Sequence, residues 1–191
     1  MNDKLLNSLL NRINDLKAFK TGDFLLSSGK KSDFYFDGRL LTLDPIAIDL
    51  ITKLFLEIVR ERKVNIVGGP ATASIPIISS IVFASFNEKK SKNLISGFFV
   101  RNHQKDYGTG KIIEGHLPKK SKVIIIDDTL TTGNSVLQTI KHVEKMDCEI
   151  VEVLTILDRN ESGKINLNKA GYKTTSLLIY NNLTKMIEKN I

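Results

Sequence analysis

Residues 123–135 read VIIIDDTLTTGNS: four apolar residues, two adjacent carboxylates, then a run of hydroxyls around Gly133. An apolar run of this kind is a buried strand, and ligands of open parallel sheets bind beyond the carboxyl ends of such strands. The following turn, Thr129, Leu130, Thr131, Thr132, Gly133, Asn134 and Ser135, leads into a helical pattern. Free backbone N–H groups and the positive end of a helix dipole make such a place an anion site. Hydroxyls of Thr129, Thr131, Thr132 and Ser135 add donors, and Gly133 allows the backbone to come close. Asp127 and Asp128 would repel a phosphate. They suit sugar hydroxyls, or a divalent cation that prefers oxygen ligands. A phosphate cradle with two acids at its mouth describes a site for a ribose 5-phosphate. A plain Asp-Thr helix cap is the simpler alternative, but capping needs one such residue rather than two acids and a hydroxyl run. The turn is not the phosphate loop of nucleotide hydrolases, which has a Lys behind its last glycine.

Other segments carry chemistry of the same kind. GGPATASIP (68–76) follows an apolar run and opens a helical pattern, which makes a second anion-ready turn. HQKDYGTGKIIEG (103–115) is polar, holds three glycines and lies between two strand patterns. It reads as a loop or loosely paired ribbon, the make-up of a lid over a site. His103, His116 and His142 have no ligand spacing, so no His-based metal site is expected. Cys148 lies between Asp147 and Glu149, the wrong surroundings for a reactive thiolate.

These residues need a frame. Five apolar runs read as strands: 65–69, 95–101, 122–127, 150–158 and 174–180. Such near-continuous runs suit a sheet covered on both faces. Helical patterns lie between them at 72–86 and 134–146. Another, after Asp44 as N-cap and Pro45 in the first turn, precedes the first strand. Alternating strands and helices predict an α/β fold around a mainly parallel sheet. The start of the chain has apolar residues at helical spacing (Leu5, Leu6, Leu9, Leu10, Ile13, Leu16). Residues 24–45, rich in Gly, Ser, charge and short aromatic pieces, read as a small hood. Together, 1–44 form the N-terminal helix and hood, 45–191 the α/β core, and 1–191 one domain.

Composition narrows the function classes. A chain of 191 residues with 41% hydrophobic and 26% charged residues is ordinary for a globular protein. One cysteine excludes an internal disulfide and suits a reducing compartment. No apolar run approaches a membrane span, and the first residues lack the order of a signal peptide, so a cytoplasmic protein without a membrane partner is expected. The net charge of +7 suits anionic ligands. Its densest clusters, 88–92 and 118–122, flank apolar runs and have no interleaved aromatics, which argues against a nucleic-acid partner.

VIIIDDTLTTGNS resembles the phosphoribosyl-diphosphate (PRPP) signature of the type I phosphoribosyltransferases. With FLLSSGKKSDFYFDGRLLTLDP (24–45), GGPATASIP, VRNHQKDYGTGKIIEG (100–115) and LDR (157–159), the order of motifs is similar to that of orotate phosphoribosyltransferases over nearly the whole chain. The resemblance implies a type I phosphoribosyltransferase fold. It also implies transfer of ribose 5-phosphate from PRPP to orotate, with Mg²⁺ as cofactor, held mainly through PRPP and near Asp127 and Asp128. By resemblance, Asp127 to Ser135 bind PRPP with Ala71, Thr72 and Ala73, the second turn holding the pyrophosphate. Arg101, Lys105 and Tyr107 carry catalytic roles in the lid, where positive side chains stabilise the departing pyrophosphate. Thr131, Arg159, Phe34 and Tyr35 take the orotate side, because an Arg fork pairs with a carboxylate and aromatic rings can enclose the base. The resemblance further implies a homodimer that shares the 101–115 loop across subunits.

Three residues depart from the family pattern. Asn102 stands where many members carry a second lid Lys, Tyr107 where many bacterial members carry His, and Ser27 where several members carry a base-side Lys. Loss of the Lys at 102 removes a positive charge from the lid, and weaker PRPP affinity is the expected consequence. Two other functions share the same cradle: a purine phosphoribosyltransferase, and a regulator that senses PRPP while binding nucleic acid.

Overall fold

Leu6, Leu9 and Ile13 recur at helical spacing and are buried on one side of helix α1 (Asp3–Asp15), whose N-terminus is capped by the Asn2 side chain. The computed structural model describes residues 1–25, 31–87, 93–101 and 111–190. After α1 come the antiparallel strands β1 (Phe19–Leu25) and β2 (Lys31–Phe36), then a short helix α2 (Gly38–Thr42). These three make the hood. Helix α3 (Pro45–Glu61) starts as the sequence directs: the Asp44 carboxylate accepts from the backbone N–H of Ile46 and Ala47, and Pro45 opens the first turn.

The core alternates strand and helix: β3 (Ile66–Pro70), α4 (Ser74–Asn87), β4 (Ser96–Val100), β5 (Ile113–Gly115), β6 (Lys122–Leu130), α5 (Asn134–Glu144), β7 (Glu149–Asp158), α6 (Gly163–Lys169), β8 (Thr174–Asn181) and β9 (Met186–Lys189). They form one seven-stranded sheet in the order β5-β4-β3-β6-β7-β8-β9. The five central strands are parallel, and β5 and β9 pair antiparallel at the edges. The five strands expected from the sequence are all present. Strand β5 lies at the end of the segment expected as a loop or loosely paired ribbon; β9, the β1–β2 pair, α2 and α6 were not legible in advance, and β6 runs three residues further than expected, through the acids to Leu130.

The sheet is covered on both faces. Along β6, Ile124 and Ile126 join one apolar layer with α1, α3 and α4, while Val123 and Ile125 join the other with α5 and α6. That alternation is the period of two of a strand. All four β6 side chains are fully buried, each contributing on the order of 2 kcal/mol by burial. Helix α1, grouped with the hood in the sequence, packs in the same layer as α3.

The connections fix where a ligand can sit. From β3 the chain passes through α4 to β4 on one side, and β6 returns to the other side of β3. Helices α4 and α5 therefore leave neighbouring strands toward opposite faces. This opens a crevice beyond the carboxyl ends of β3 and β6, the usual ligand position in such sheets.

Candidate active site

The two acids stand at the carboxyl end of β6. Asp127 is 5% exposed, and its two oxygens accept from the backbone N–H of Asp128 (3.0 Å) and from Ser135 Oγ (3.1 Å). Burial, and then the charge of Asp128, push the Asp127 carboxyl up to about 8. Asp128 keeps partial exposure, and its pKa is also raised, mainly by burial, although the backbone and hydroxyl of Thr129 oppose that rise. Asp37, from the hood, adds like charge. The hood comes very close here: a Cβ built on Gly38 would lie 2.5 Å from Asp128 Oδ2, so a side chain at this position would displace the carboxylate. Among the described residues no Lys or Arg forms an ion pair with either acid. The pair is buried and electrostatically incomplete.

Behind the acids, Gly133 adopts φ 78° and ψ 3°, a left-handed conformation that favours glycine, and α5 starts directly after it. Gly133, at the N-cap position, has no side chain to cap this helix, and among the described residues only Thr132 Oγ1 reaches its first N–H groups, accepting from Asn134 N–H at 3.5 Å. The first N–H groups of α5 are those an anion would meet. The neighbours that shape the turn belong to α6: Gly163 N–H donates to Thr131 O (2.8 Å) and Asn166 Nδ2 to Thr132 O (3.0 Å).

Two side chains of the motif have other work. Leu130 is 1% exposed and packs in the core, while its carbonyl accepts from Arg159 N–H. Its pairing with Asp158 of β7 holds its backbone in the sheet as well. The Ser135 hydroxyl donates to Asp127 rather than standing free for a phosphate.

The second turn, Ala71–Thr72–Ala73, follows β3 beside β6 and precedes α4, and its Ala71–Thr72 peptide bond is cis. Ala71 N–H extends the sheet by donating to Val100 O (2.8 Å). That leaves the ligand role to the N–H groups after it. The same bond brings the end of β4, and Arg101 beyond it, next to this turn. Arg101 is half-buried and reaches Glu114 at 3.5 Å. Ser27, Asn102, His103, Lys105 and Tyr107 lie outside the described residues.

On the other flank, Arg159 follows β7 directly beside Thr131. Its backbone N–H bonds Leu130 O, and Asp158 turns the chain by accepting from Asn160 N–H (2.8 Å). The Arg159 side chain is nearly buried, with Cζ 3.9 Å from the centroid of the Phe34 ring. Tyr180 stacks on the same ring with centroids 3.9 Å apart. Two groups at that distance take opposite faces, so Phe34 has none left for a base. Phe34, expected on the orotate side, is 3% exposed and packs against Arg159 and Tyr180. Tyr35 points the other way on β2, is partly exposed, and accepts from Arg39.

The sequence reading missed Ser32 and Glu161, both bonded to the Arg159 guanidinium at 2.9 Å and 3.0 Å. For Glu161 a signal existed, an acid two residues from the Arg. For Ser32 there was none.

The phosphoribosyl transferase domain model matches residues 41–176. The orotate phosphoribosyltransferase of Pyrococcus horikoshii is 33% identical over 187 residues, 97% of this chain and 94% of that protein. The enzyme of Rhodopseudomonas palustris is 34% identical over 165 residues, 84% of this chain and 87% of that protein. Among solved structures, the Mycobacterium tuberculosis orotate phosphoribosyltransferase in complex with PRPP is similar with a TM-score of 0.73 at 27% identity, covering 92% of this chain and 96% of that chain.

Proposed function

We propose, for a chain that belongs to the phosphoribosyl transferase domain family and, within it, to the orotate phosphoribosyltransferases, that it transfers ribose 5-phosphate from PRPP to orotate. The products are orotidine 5′-monophosphate and pyrophosphate, a step of pyrimidine synthesis toward UMP. The observation that carries the reading is the start of α5 behind a glycine N-cap, next to two adjacent acids, Asp127 buried and Asp128 half-buried, that form no ion pair with a Lys or Arg among the described residues.

In this reading the 5-phosphate binds the turn from Thr129 to Ser135 through backbone N–H groups and the threonine hydroxyls. Asp128, the more exposed acid, accepts from the ribose hydroxyls, and Asp127 holds it in place through its backbone. Pyrophosphate lies at the second turn, where Arg101 from the adjoining strand end stabilises the charge that grows as it leaves. Lys105 and Tyr107 take the lid roles that the family motif gives them. Orotate lies against Thr131 with its carboxylate on Arg159, an Arg–carboxylate fork; Tyr35 remains on the hood side.

Mg²⁺ fits this donor set. Asp127 and Asp128 are two carboxylates, and no group of three or more metal-binding side chains occurs among the described residues. A magnesium ion is commonly held by one or two carboxylates together with substrate phosphates, and it neutralises phosphate charge when bound.

The partner we assign is a second copy of this chain. Phe83, Phe86 and Leu94 are 70%, 73% and 55% exposed and line an apolar groove of ≈ 640 Å³ between α4 and β4. The groove reaches Glu114 and Gly115, the end of the 101–115 segment that the second copy would share. No described helix is long and apolar enough to cross a membrane. A cytoplasmic setting suits biosynthetic relatives and the free, buried thiol of Cys148.

The test is the fall of orotate absorbance on mixing purified protein with orotate, PRPP and Mg²⁺, with adenine and hypoxanthine as parallel acceptors. Loss of orotate supports the reading. Turnover of a purine alone points to the purine enzyme, and PRPP binding with no turnover points to a sensor. Light scattering of Phe83→Asp, expected to be monomeric where the native chain is dimeric, tests the partner.

A further inference from the structure

We propose that Glu161, together with Ser32 and Phe34, positions the Arg159 guanidinium so that one fork of its N–H donors is kept for the carboxylate of orotate; this rests on the reading of Arg159 as the orotate-binding residue. A free Arg side chain samples many rotamers, and each must be given up when a planar anion binds. Here that ordering is complete before the substrate arrives.

Three contacts fix the group. The Phe34 ring, 3.9 Å from Cζ, sets its plane. That ring is held in turn by Tyr180, whose hydroxyl donates to Asp33 Oδ2 at 3.2 Å, the same oxygen that Lys185 Nζ meets at 2.6 Å. Glu161 Oε1 accepts from Nε at 3.0 Å, and Ser32 Oγ accepts from Nη2 at 2.9 Å. The Ser32 proton already goes to Phe34 O at 2.7 Å, so its oxygen can face the guanidinium only as an acceptor.

Nε and Nη2 form one edge of the guanidinium, and Ser32 and Glu161 occupy it. Nη1 makes no hydrogen bond among the described residues, and with the second proton of Nη2 it forms the end-on fork that matches a carboxylate. Glu161 also supplies the negative partner that a nearly buried cation needs when no substrate is present. The site therefore selects orotate by the geometry of a fork rather than by excess positive charge.

An opposing effect follows from the same contact. The Glu161 carboxylate repels the substrate's carboxylate, so its removal would tighten orotate binding if repulsion outweighed ordering. The direction of the change in KM decides between them. Glu161→Ala is expected to raise KM for orotate about tenfold, the size of a lost hydrogen bond to a charged group, with kcat and KM for PRPP within about twofold of native. Glu161→Gln, whose amide oxygen still accepts from Nε, is expected to recover most of that loss. Arg159→Ala serves as the reference, and in the double variant the Glu161 effect is expected to disappear.

A fall or no change in KM for orotate in Glu161→Ala, while Arg159→Ala raises it, overturns the positioning role and leaves the reading of Arg159 intact. No effect of Arg159→Ala on KM for orotate removes that reading itself. Thermal melts of all four variants confirm that folded proteins are compared.

Discussion

Strands β6 and β7 lie side by side, and each buries a carboxylate that the chain treats in opposite ways. Glu152 on β7 is fully buried and fully served: Arg62 Nε lies at 2.6 Å, Thr175 Oγ1 at 2.7 Å and Lys173 Nζ at 3.4 Å. Burial raises its pKa most, yet the hydrogen bonds of Arg62 and Thr175 and the charges of Arg62 and Lys173 together carry it below the ordinary Glu value. Asp127 on β6 is almost as buried, but its nearest charge is another acid, and its pKa rises to about 8. In register, Glu152 is opposite Ile124 and Asp127 is opposite Thr155, so about 10 Å of sheet separates the two. The end with complete pairing is structural. The incomplete end lies where the topology opens a crevice, and a ligand or its metal can supply what the fold withholds.

The comparison breaks most sharply on activity. Asp128→Ala is expected to lower kcat/KM by roughly 10²–10³, the loss of about two charged hydrogen bonds to a sugar diol, while the protein melts no lower than native. A melting loss with activity retained would make the acids structural, as Glu152 is.

The mirror experiment is Arg62→Ala. It leaves Glu152 buried with only Lys173 and Thr175, and a loss of about 3 kcal/mol is expected. For a chain of this size that lowers Tm by roughly 6–12 °C. kcat per folded molecule should stay at the native value.

Stability against pH sharpens the contrast. The folded pKa of Asp127 lies above its unfolded value of 3.8, so the native state binds the extra proton and stability falls as pH rises through about 8. The folded pKa of Glu152 lies below its ordinary value of 4.5, so its contribution is present above that pH and is lost as pH falls through the folded value. Urea unfolding across pH is therefore expected to show a flatter limb between about pH 3.8 and 8 in Asp127→Asn and a flatter limb below about pH 4.5 in Glu152→Gln. Variants that flatten the same limb would contradict both assignments.

The smallest effect belongs to the turn between the acids and α5. Gly133→Ala forces a left-handed φ on a residue with a Cβ, at about 1 kcal/mol, with a drop in Tm of roughly 2–4 °C. KM for PRPP should rise more than KM for orotate, since the turn serves the phosphate.

Much of this was legible in advance, for local reasons. The five central strands are covered on both faces, so their apolar runs are unbroken, and Asp44–Pro45 announces the start of α3. What escaped depends on neighbours distant in the chain. Strand β9 buries only Ile187 and exists by pairing with β8. Helix α6 is seven residues with Gly and Asn among them, held by Leu167 in the core and Gly163 against Thr131. The far end of β6 reads as a turn because of its acids and Thr, but Leu157 and Asp158 of β7 keep it in the sheet.

The two anion-ready turns were fixed by the sequence itself, because N–H groups exposed at a strand-to-helix turn follow from covalent neighbours alone. So was the pairing of two acids with the hydroxyl turn behind them. Which way Phe34 points, what holds Arg159, and which buried carboxylate keeps its charge were decided by the tertiary structure. Ser32 meets Arg159 across 127 residues of chain. A proton's affinity depends on burial and nearby charge, and folding alone creates both.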